Sequence, residues 1–291
     1  MTKKIAVIND LSGFGRCSLT AAISVLSAMG VSACPLPTAI LTAQTEYESY
    51  YCDDYTDKME IYRSEWLKMN QKFDGIYTGF VASEAQIGHI FNFINTFRTP
   101  ETFLLVDPVM GDDGITYDVF TPSLLEQMKK LALQADIITP NMTELCLLTD
   151  YDYHKLNTIT DYHQLIHQIQ ILGEKLCSMG PSHVIVTGIQ FVNDEGIKSM
   201  GNLYISRNEH TLVAFPYIGG SYSGTGDLFA SCLVAGIARG MDIPSIIKMA
   251  GTFLEYALTD SVKENIPEND GVNYEKYLYV LIDNMRTLTT N

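Results

Sequence analysis

Short apolar runs alternate with amphipathic segments along most of the chain, and this alternation predicts the order of strands and helices. Ile5–Asn9 is apolar up to its last residue over the length of one strand, and Ser18–Met29 carries apolar residues at helical spacing. Later segments repeat the pattern. The further predicted strands are Gly75–Phe80, Thr102–Val106, Asp136–Thr139 and His183–Thr187, with helices between them. This β-α-β-α order is typical of a parallel sheet that is covered by helices.

Two segments depart from this alternation. Ala33–Thr42 contains Pro35 and Pro37, which lack a backbone N–H, so we expect an edge strand or a small flap rather than a central strand. Met200–Ser206 and His210–Pro216 flank a polar turn, which predicts an antiparallel hairpin. No repeat or linker divides the sequence, and we therefore predict a single α/β domain over residues 1–291.

Composition and charge narrow the class of protein. The chain has 291 residues, of which 46% are hydrophobic and 18% charged, as in ordinary globular proteins. Lys and Arg number 19 against 34 Asp and Glu, so the net charge is −15, which argues against nucleic acid and anionic membranes as partners. No apolar run has the length of a membrane span or the form of a signal peptide. The six cysteines form no C-x-x-C pair, so we expect reduced thiols, no zinc site and a cytoplasmic location.

A glycine-rich turn is the first candidate for chemistry. Gly219–Gly226 is followed by Asp227 and then by an apolar helix of small residues. The N–H groups and the dipole at a helix start favour a phosphate, and a carboxylate beside it is placed to accept a proton from an attacking hydroxyl. The alternative is a simple helix entry with an acid that complements the helix dipole. These residues alone leave both interpretations open.

Mostly polar residues lie at the ends of the predicted strands, where ligands bind in open α/β sheets. These residues are Asp10, Phe80, Asp107, Asn141 and Thr187. Asp107 and Asp112 share one loop and offer the carboxylate oxygens that Mg²⁺ prefers. Asn141 and Glu144 have the spacing of a helix capping box, and Glu144 is compatible with capping and with a cation site.

Several enzyme classes are excluded by motifs that the sequence lacks. It has no G-x-x-x-x-G-K-[ST] loop, so it is not a P-loop nucleoside triphosphatase. The protein-kinase loops and the G-x-S-x-G serine elbow are also missing.

Three motifs together resemble the ribokinase superfamily: Gly224–Ala230, Asp107–Asp112 and Ile138–Glu144. Within that superfamily the sequence is most similar to the pyridoxal kinases, and the similarity extends over essentially the whole chain. The resemblance implies a ribokinase-like three-layer sandwich, with a mostly parallel central sheet flanked by helices. It also implies MgATP-dependent phosphorylation of the 5′-hydroxymethyl group of pyridoxal, pyridoxine and pyridoxamine in pyridoxal phosphate salvage. A monovalent cation (K⁺ or Na⁺) and a homodimer are further expectations from the family.

The resemblance assigns roles to individual residues of the phosphate and cation sites. Asp227 matches the catalytic base, and the matching anion hole is Gly224, Thr225 and Gly226. Residues matching the cation positions are Asp107, Asp112, Thr139 and Glu144. Residues matching the ATP site are Asp112, Tyr117, Asn141, Glu144, Thr187, Gly188, Ile218, Gly219, Gly220, Thr225 and Gly226.

The substrate side is where the sequence departs from the family. Asp10 and Thr45 match positions that hydrogen-bond the pyridine ring, Phe80 matches an aromatic packed on it, and Asp227 completes the set. Many pyridoxal kinases carry Ser where Asp10 stands, and Asp is also found there in hydroxymethylpyrimidine kinases. A hydroxymethylpyrimidine kinase of thiamine synthesis is therefore the second interpretation. The third is a ligand-binding protein on the same scaffold without turnover.

Overall fold

The computed structural model describes residues 1–289, with side chains described through Arg286. The strands are β1 (Lys4–Ser12), β2 (Ser32–Leu41), β3 (Cys52–Asp54), β4 (Gly75–Thr78), β5 (Phe103–Val106), β6 (Gly111–Asp112), β7 (Ile115–Thr116), β8 (Ile137–Ile138), β9 (His183–Val192), β10 (Lys198–Ser206) and β11 (His210–Pro216). The α-helices are α1 (Ser18–Ala28), α2 (Thr56–Lys68), α3 (Glu84–Phe97), α4 (Pro122–Ala132), α5 (Met142–Thr149), α6 (Tyr153–Asn157), α7 (Tyr162–Met179), α8 (Thr225–Ala238), α9 (Ile243–Lys263) and α10 (Leu278–Thr289). Two short 3₁₀ helices span Glu268–Asp270 and Glu275–Tyr277.

The chain divides into two compact units. The first unit comprises Met1–Val81, Gly88–Thr102 and the chain from Ile218 onward. The second unit comprises Ala82–Ile87 and Phe103–Tyr217. A single domain over residues 1–291 stays a prediction.

In the first unit the strand order is β4-β1-β2-β3. β1 runs parallel to both β2 and β4, and β3 is antiparallel to β2 at the edge. Helix α1 packs on β1 and β2, and α8 packs between α1 and α9. An aromatic cluster of Trp66, Phe73, Phe93 and Phe97 fills part of this core.

The expectation of an edge strand or flap over Ala33–Thr42 is wrong. These residues form most of β2, which pairs with β1 along its length and with β3 at Ala39–Leu41. β3 pairs only with Ala39–Leu41, which follow Pro35 and Pro37. No described strand pairs with the outer side of β2 at the two prolines, so their missing N–H groups are tolerated there.

In the second unit the strand order is β11-β10-β9-β8-β5. β5, β8 and β9 are parallel, whereas β9, β10 and β11 form an antiparallel meander. The hairpin predicted for Met200–Ser206 and His210–Pro216 is confirmed, with Tyr204 opposite Thr211. β6 and β7 form a separate two-stranded sheet, and α7 packs on β9 and β10.

The parallel strands that the sequence pattern predicts are β1, β2 and β4 in the first unit and β5, β8 and β9 in the second, and helices pack on both sets. Within the described part of the chain, no helix is both long enough and apolar enough to cross a membrane.

Candidate active site

The glycine-rich turn leads directly into α8. Gly224 is the residue before the helix and has φ 81°, in the left-handed region that glycine adopts readily. A Cβ at this position would lie 2.1 Å from the carbonyl oxygen of Arg16, so the two backbones meet too closely for a side chain. Thr225 begins the helix, and its hydroxyl donates to the Tyr222 carbonyl at 3.2 Å. The first N–H groups of a helix have no intrahelical acceptor, which makes this turn suited to an anion.

Asp227 lies in the first turn of α8, and its carboxylate has two donors from the protein. The Asn9 side-chain amide donates to Oδ1 of Asp227 at 3.0 Å, and the backbone N–H of Ser18 also hydrogen-bonds this carboxyl. Burial raises the pKa of Asp227 to about 6, and the charge of Asp10 adds to that rise while the two donors oppose it. The group is therefore mostly ionised at neutral pH yet more basic than a surface aspartate.

Asp10 lies close to this carboxyl in a small hydroxyl-lined network. It is 7% exposed, and it accepts hydrogen bonds from Ser18 Oγ at 2.6 Å on Oδ1 and from Ser12 Oγ at 2.9 Å on Oδ2. Burial raises the pKa of Asp10, and the two serine hydroxyls lower it. Both carboxyl oxygens of Asp10 thus have donors within the protein.

Of the predicted substrate residues, Phe80 is linked to Asp227 through Asn9, and Thr45 is not. Phe80 is half-buried, and its backbone N–H donates to Oδ1 of Asn9 at 3.0 Å, which ties it to Asp227 through one side chain. Thr45 is exposed on the loop that follows β2, and no described hydrogen bond joins it to Asp10 or Asp227.

That loop is anchored to the segment before α8, an arrangement that the sequence pattern did not reveal. Ser223 Oγ donates to Glu46 at 2.8 Å, and Gln44 Nε2 donates to Ser223 Oγ at 3.3 Å. The Tyr47 hydroxyl donates to Asp270, and Asn269 Nδ2 donates to the Glu46 carbonyl at 2.8 Å. Residues 44–47 therefore reach the turn next to Gly224.

In the second unit the predicted cation residues cluster around Glu144. The predicted capping box is present, because Asn141 accepts from the Glu144 N–H at 2.9 Å while Glu144 accepts from the Asn141 N–H at 2.8 Å. The other Glu144 oxygen accepts from the Met110 N–H at 3.0 Å. Thr139 Oγ1 donates to Oδ1 of Asp107 at 2.8 Å, and both residues are buried.

The electrostatics of this cluster suit a cation. Burial raises the pKa of Glu144 well above its ordinary value, and the charges of Asp107 and Asp112 raise it further. A cation would favour the ionised carboxylates, and these residues and Thr139 offer the oxygen donors that Mg²⁺ takes. No group of three or more His, Cys, Asp and Glu close enough to hold a metal is found among the described residues, so a cation here would need further ligands such as water or phosphate oxygens.

The predicted nucleotide residues lie in strands and loops, and Thr187 is not a strand end as predicted, because β9 continues to Val192. The Thr187 N–H donates to the Pro140 carbonyl at 3.0 Å, which joins β9 to the loop that carries Asn141. Gly188 follows with φ 68°. Tyr117 and Asp112 are exposed near β6 and β7. In the first unit, Ile218, Gly219 and Gly220 lie on the segment that leads to α8, with φ 26° and 86° at the two glycines.

Sequence reasoning missed Asn9 and Ser18, which both hold Asp227. Asn9 is fully buried at the end of an apolar run, and a polar residue there is the one signal that was available. Ser18 has φ 50°, a left-handed conformation that is uncommon for residues other than glycine, and no sequence pattern predicts it.

Several known proteins resemble this chain in sequence and in fold. The sequence model of the phosphomethylpyrimidine kinase family matches residues 15–271. The chain is similar to a Bacteroides thetaiotaomicron protein described as a phosphomethylpyrimidine kinase, with 35% identity, a TM-score of 0.89 and coverage of 96% of this chain and 94% of that one. That protein has a second crystal form with pyridoxal. The pyridoxal kinase of Lactobacillus plantarum is 25% identical, with a TM-score of 0.84 and 99% of both chains covered.

A Schizosaccharomyces pombe protein described as a pyridoxal kinase is 29% identical over 174 residues, which are 58% of this chain and 48% of that protein. The match thus spans about half the length of this relative. The predicted ribokinase-like α/β fold and the resemblance to the pyridoxal kinases are confirmed. On the match over residues 15–271, the chain belongs to the phosphomethylpyrimidine kinase family.

Proposed function

We propose that this chain transfers the γ-phosphoryl group of ATP to the 5′-hydroxymethyl group of pyridoxal, pyridoxine or pyridoxamine. The observation that carries the proposal is the Asp227 carboxylate, which lies in the first turn of α8 directly after the left-handed Gly224. A base in this position removes the proton of the attacking hydroxyl, while the N–H groups of the turn stabilise charge on the transferring phosphoryl group.

Within the second unit, the cluster around Glu144 is the proposed cation site. Asp107, Asp112, Thr139 and Glu144 would hold Mg²⁺, which neutralises phosphate charge when it is bound. A monovalent cation is a further expectation that rests on the family resemblance. Asn141, Tyr117, Thr187 and Gly188 are the proposed nucleotide contacts of this unit.

The substrate network favours a neutral or cationic acceptor. Asp10 and Asp227 are two carboxyl groups whose charges interact, and an acceptor that already carries a phosphate would add a third negative group. A phosphorylated pyrimidine is therefore disfavoured as substrate. Hydroxymethylpyrimidine itself remains the second candidate, because the Bacteroides protein of 35% identity is described as a phosphomethylpyrimidine kinase and Asp10 suits a ring amine or a protonated nitrogen.

A substrate panel tests the proposal. ATP consumption and product formation are measured with pyridoxal, pyridoxine, pyridoxamine, hydroxymethylpyrimidine and ribose. We expect turnover with at least one B6 vitamer, and loss of about 10²–10⁴-fold in kcat for Asp227→Asn with the KM for ATP retained. Turnover confined to the pyrimidine supports the second candidate, and binding of a vitamer without turnover would identify a ligand-binding protein.

Quaternary structure and location complete the proposal. We infer a homodimer from the family resemblance, and a cytoplasmic location from the six free cysteines. Sedimentation analysis of the purified chain checks the first inference.

A further inference from the structure

Asn9 lies in β1 and contacts both Phe80, just after β4, and Asp227, in the first turn of α8. Its side chain is fully buried at the position where the register between β1 and β2 shifts, between Asn9 and Leu11. Such irregularities in strand pairing often re-aim side chains beside active sites. A Cβ on Gly79 would lie 2.4 Å from Nδ2 of Asn9, so the amide packs directly against the backbone at the end of β4.

Both polar atoms of the Asn9 side-chain amide form hydrogen bonds within the protein. Oδ1 accepts from the backbone N–H of Phe80 and from that of Asp10, each at 3.0 Å. These two bonds fix which end of the amide faces α8, because only the NH₂ group can donate. Nδ2 then donates to Oδ1 of Asp227 at 3.0 Å.

We propose that Asn9 is the positioning residue of the Asp227 base, whose carboxylate it holds in a fixed position relative to Asp10 and Phe80. The proposal rests on the proposed function, because it deepens the role of the same site. The amide cannot act as acid or base, so its effect is exerted through the orientation and the ionisation of the carboxylate. A base displaced by about 1 Å loses on the order of 10²-fold in rate.

The groups around Asp227 define what a change at Asn9 would do to its titration. Among the elements around α8, β1 brings Asp10, the start of α1 brings Cys17 and β4 carries Tyr77. The buried face of α9 has no acid or base. A hydrogen bond to the charged form lowers a pKa, so loss of the Asn9 donor raises the pKa of Asp227.

The key variant is Asn9→Asp, which keeps the acceptor for the Phe80 and Asp10 N–H groups, removes the donor to Asp227 and adds a second carboxyl group beside it. We expect kcat at pH 7 to fall about 100-fold, with the KM for ATP changed little and the acid limb of kcat moved to higher pH. Asn9→Ala adds no new titrating group and should move the limb in the same direction. A uniform loss of kcat at every pH, with the limb unmoved, would overturn the proposal.

A matched control is available elsewhere in the first unit. Asn273 is buried and donates from Nδ2 to a Glu264 carboxylate at 2.9 Å, so Asn273→Asp breaks the same kind of bond at a carboxylate other than Asp227. We expect its pH profile to match that of the wild type. An equal shift of the acid limb in Asn273→Asp would assign the effect to general loss of stability and overturn the proposal.

A second readout separates this inference from the proposed function. The Asp227 carboxyl is followed by ¹³C NMR in the substrate-free protein and assigned by its loss in Asp227→Asn. A higher midpoint in Asn9→Ala than in the wild type supports the positioning role even if no vitamer is phosphorylated. An unchanged midpoint overturns it, whether or not the enzyme turns over. If Asn9→Asp does not fold, Asn9→Ala alone decides by the same two results.

Discussion

The close approach of Gly224 to the loop before α1 leads to a quantitative prediction. A Cβ at Gly224 would lie 2.1 Å from the Arg16 carbonyl oxygen and 2.9 Å from Cα of Cys17. Its φ of 81° also costs a residue other than glycine about 1–2 kcal/mol. Gly240, just beyond the other end of α8, has φ 79° but nothing within 4 Å of its Cβ position.

Both alanine variants therefore strain the backbone through a positive φ, and only Gly224→Ala adds a steric collision. Both lose the same backbone freedom in the unfolded chain, so that contribution cancels in the comparison. Gly240→Ala should lower the free energy of unfolding by about 1–2 kcal/mol. Gly224→Ala should lower it by about 2–5 kcal/mol, because forcing atoms into a packed site adds about 1–3 kcal/mol.

Equilibrium denaturation with urea measures both free energies, and steady-state kinetics measures kcat. Arg16 and Cys17 lead directly into Ser18, whose N–H holds Asp227, so relief of the collision should also displace the base. We expect Gly224→Ala to lose activity beyond its loss of folded protein, and Gly240→Ala to retain kcat. Equal destabilisation by the two substitutions would refute the steric argument.

Three further predictions concern charge and packing. Asp10→Asn removes a charge that raises the pKa of Asp227, so the acid limb of kcat should move to lower pH, opposite to the shift in Asn9→Ala. An unmoved limb in Asp10→Asn would contradict the interaction between the two carboxyl groups. Because the pKa of Glu144 is raised in the folded chain, the metal-free protein should lose stability as pH rises from the ordinary carboxyl range through that raised value. Mg²⁺ should then raise Tm more at pH 8 than at pH 5 in thermal melts, and equal shifts would contradict the assignment. Phe93→Ala should cost about 3–5 kcal/mol in urea denaturation, because it removes the centre of the aromatic cluster, while leaving the acid limb of kcat unchanged.

The fold could be predicted wherever local pattern and tertiary packing agree. The helix at Ser18–Met29 and the hairpin around residues 207–209 follow from hydrophobic spacing and turn residues, and the structure has both. The prediction for Ala33–Thr42 was wrong because its two prolines were taken to exclude an inner strand. Proline is restricted only on the side where a partner needs its N–H, and pairing partners are set by tertiary structure.

The candidate site residues could likewise be predicted only where a local pattern fixes their role. Asp227, Glu144 and Asn141 stand in motifs whose spacing along the chain fixes their local roles, such as the capping box. Asn9 acts across 218 positions of sequence separation, through a bond that exists only once β1 and α8 are folded. Its one advance signal is a polar residue in an apolar strand, which is ambiguous without the partner.

Opposed forces set the basicity of Asp227, and this balance suits a catalytic base at neutral pH. Burial and the charge of Asp10 favour the protonated form and raise the pKa of Asp227. Hydrogen bonds from Ser18 and Asn9 favour the ionised form and lower the pKa of Asp227. With the pKa at about 6, the ionised form is present at pH 7 and is a stronger base than an exposed aspartate. The donors that orient the carboxylate, Asn9 and the Ser18 N–H, also lower its proton affinity, so the loss of either donor changes both position and pKa.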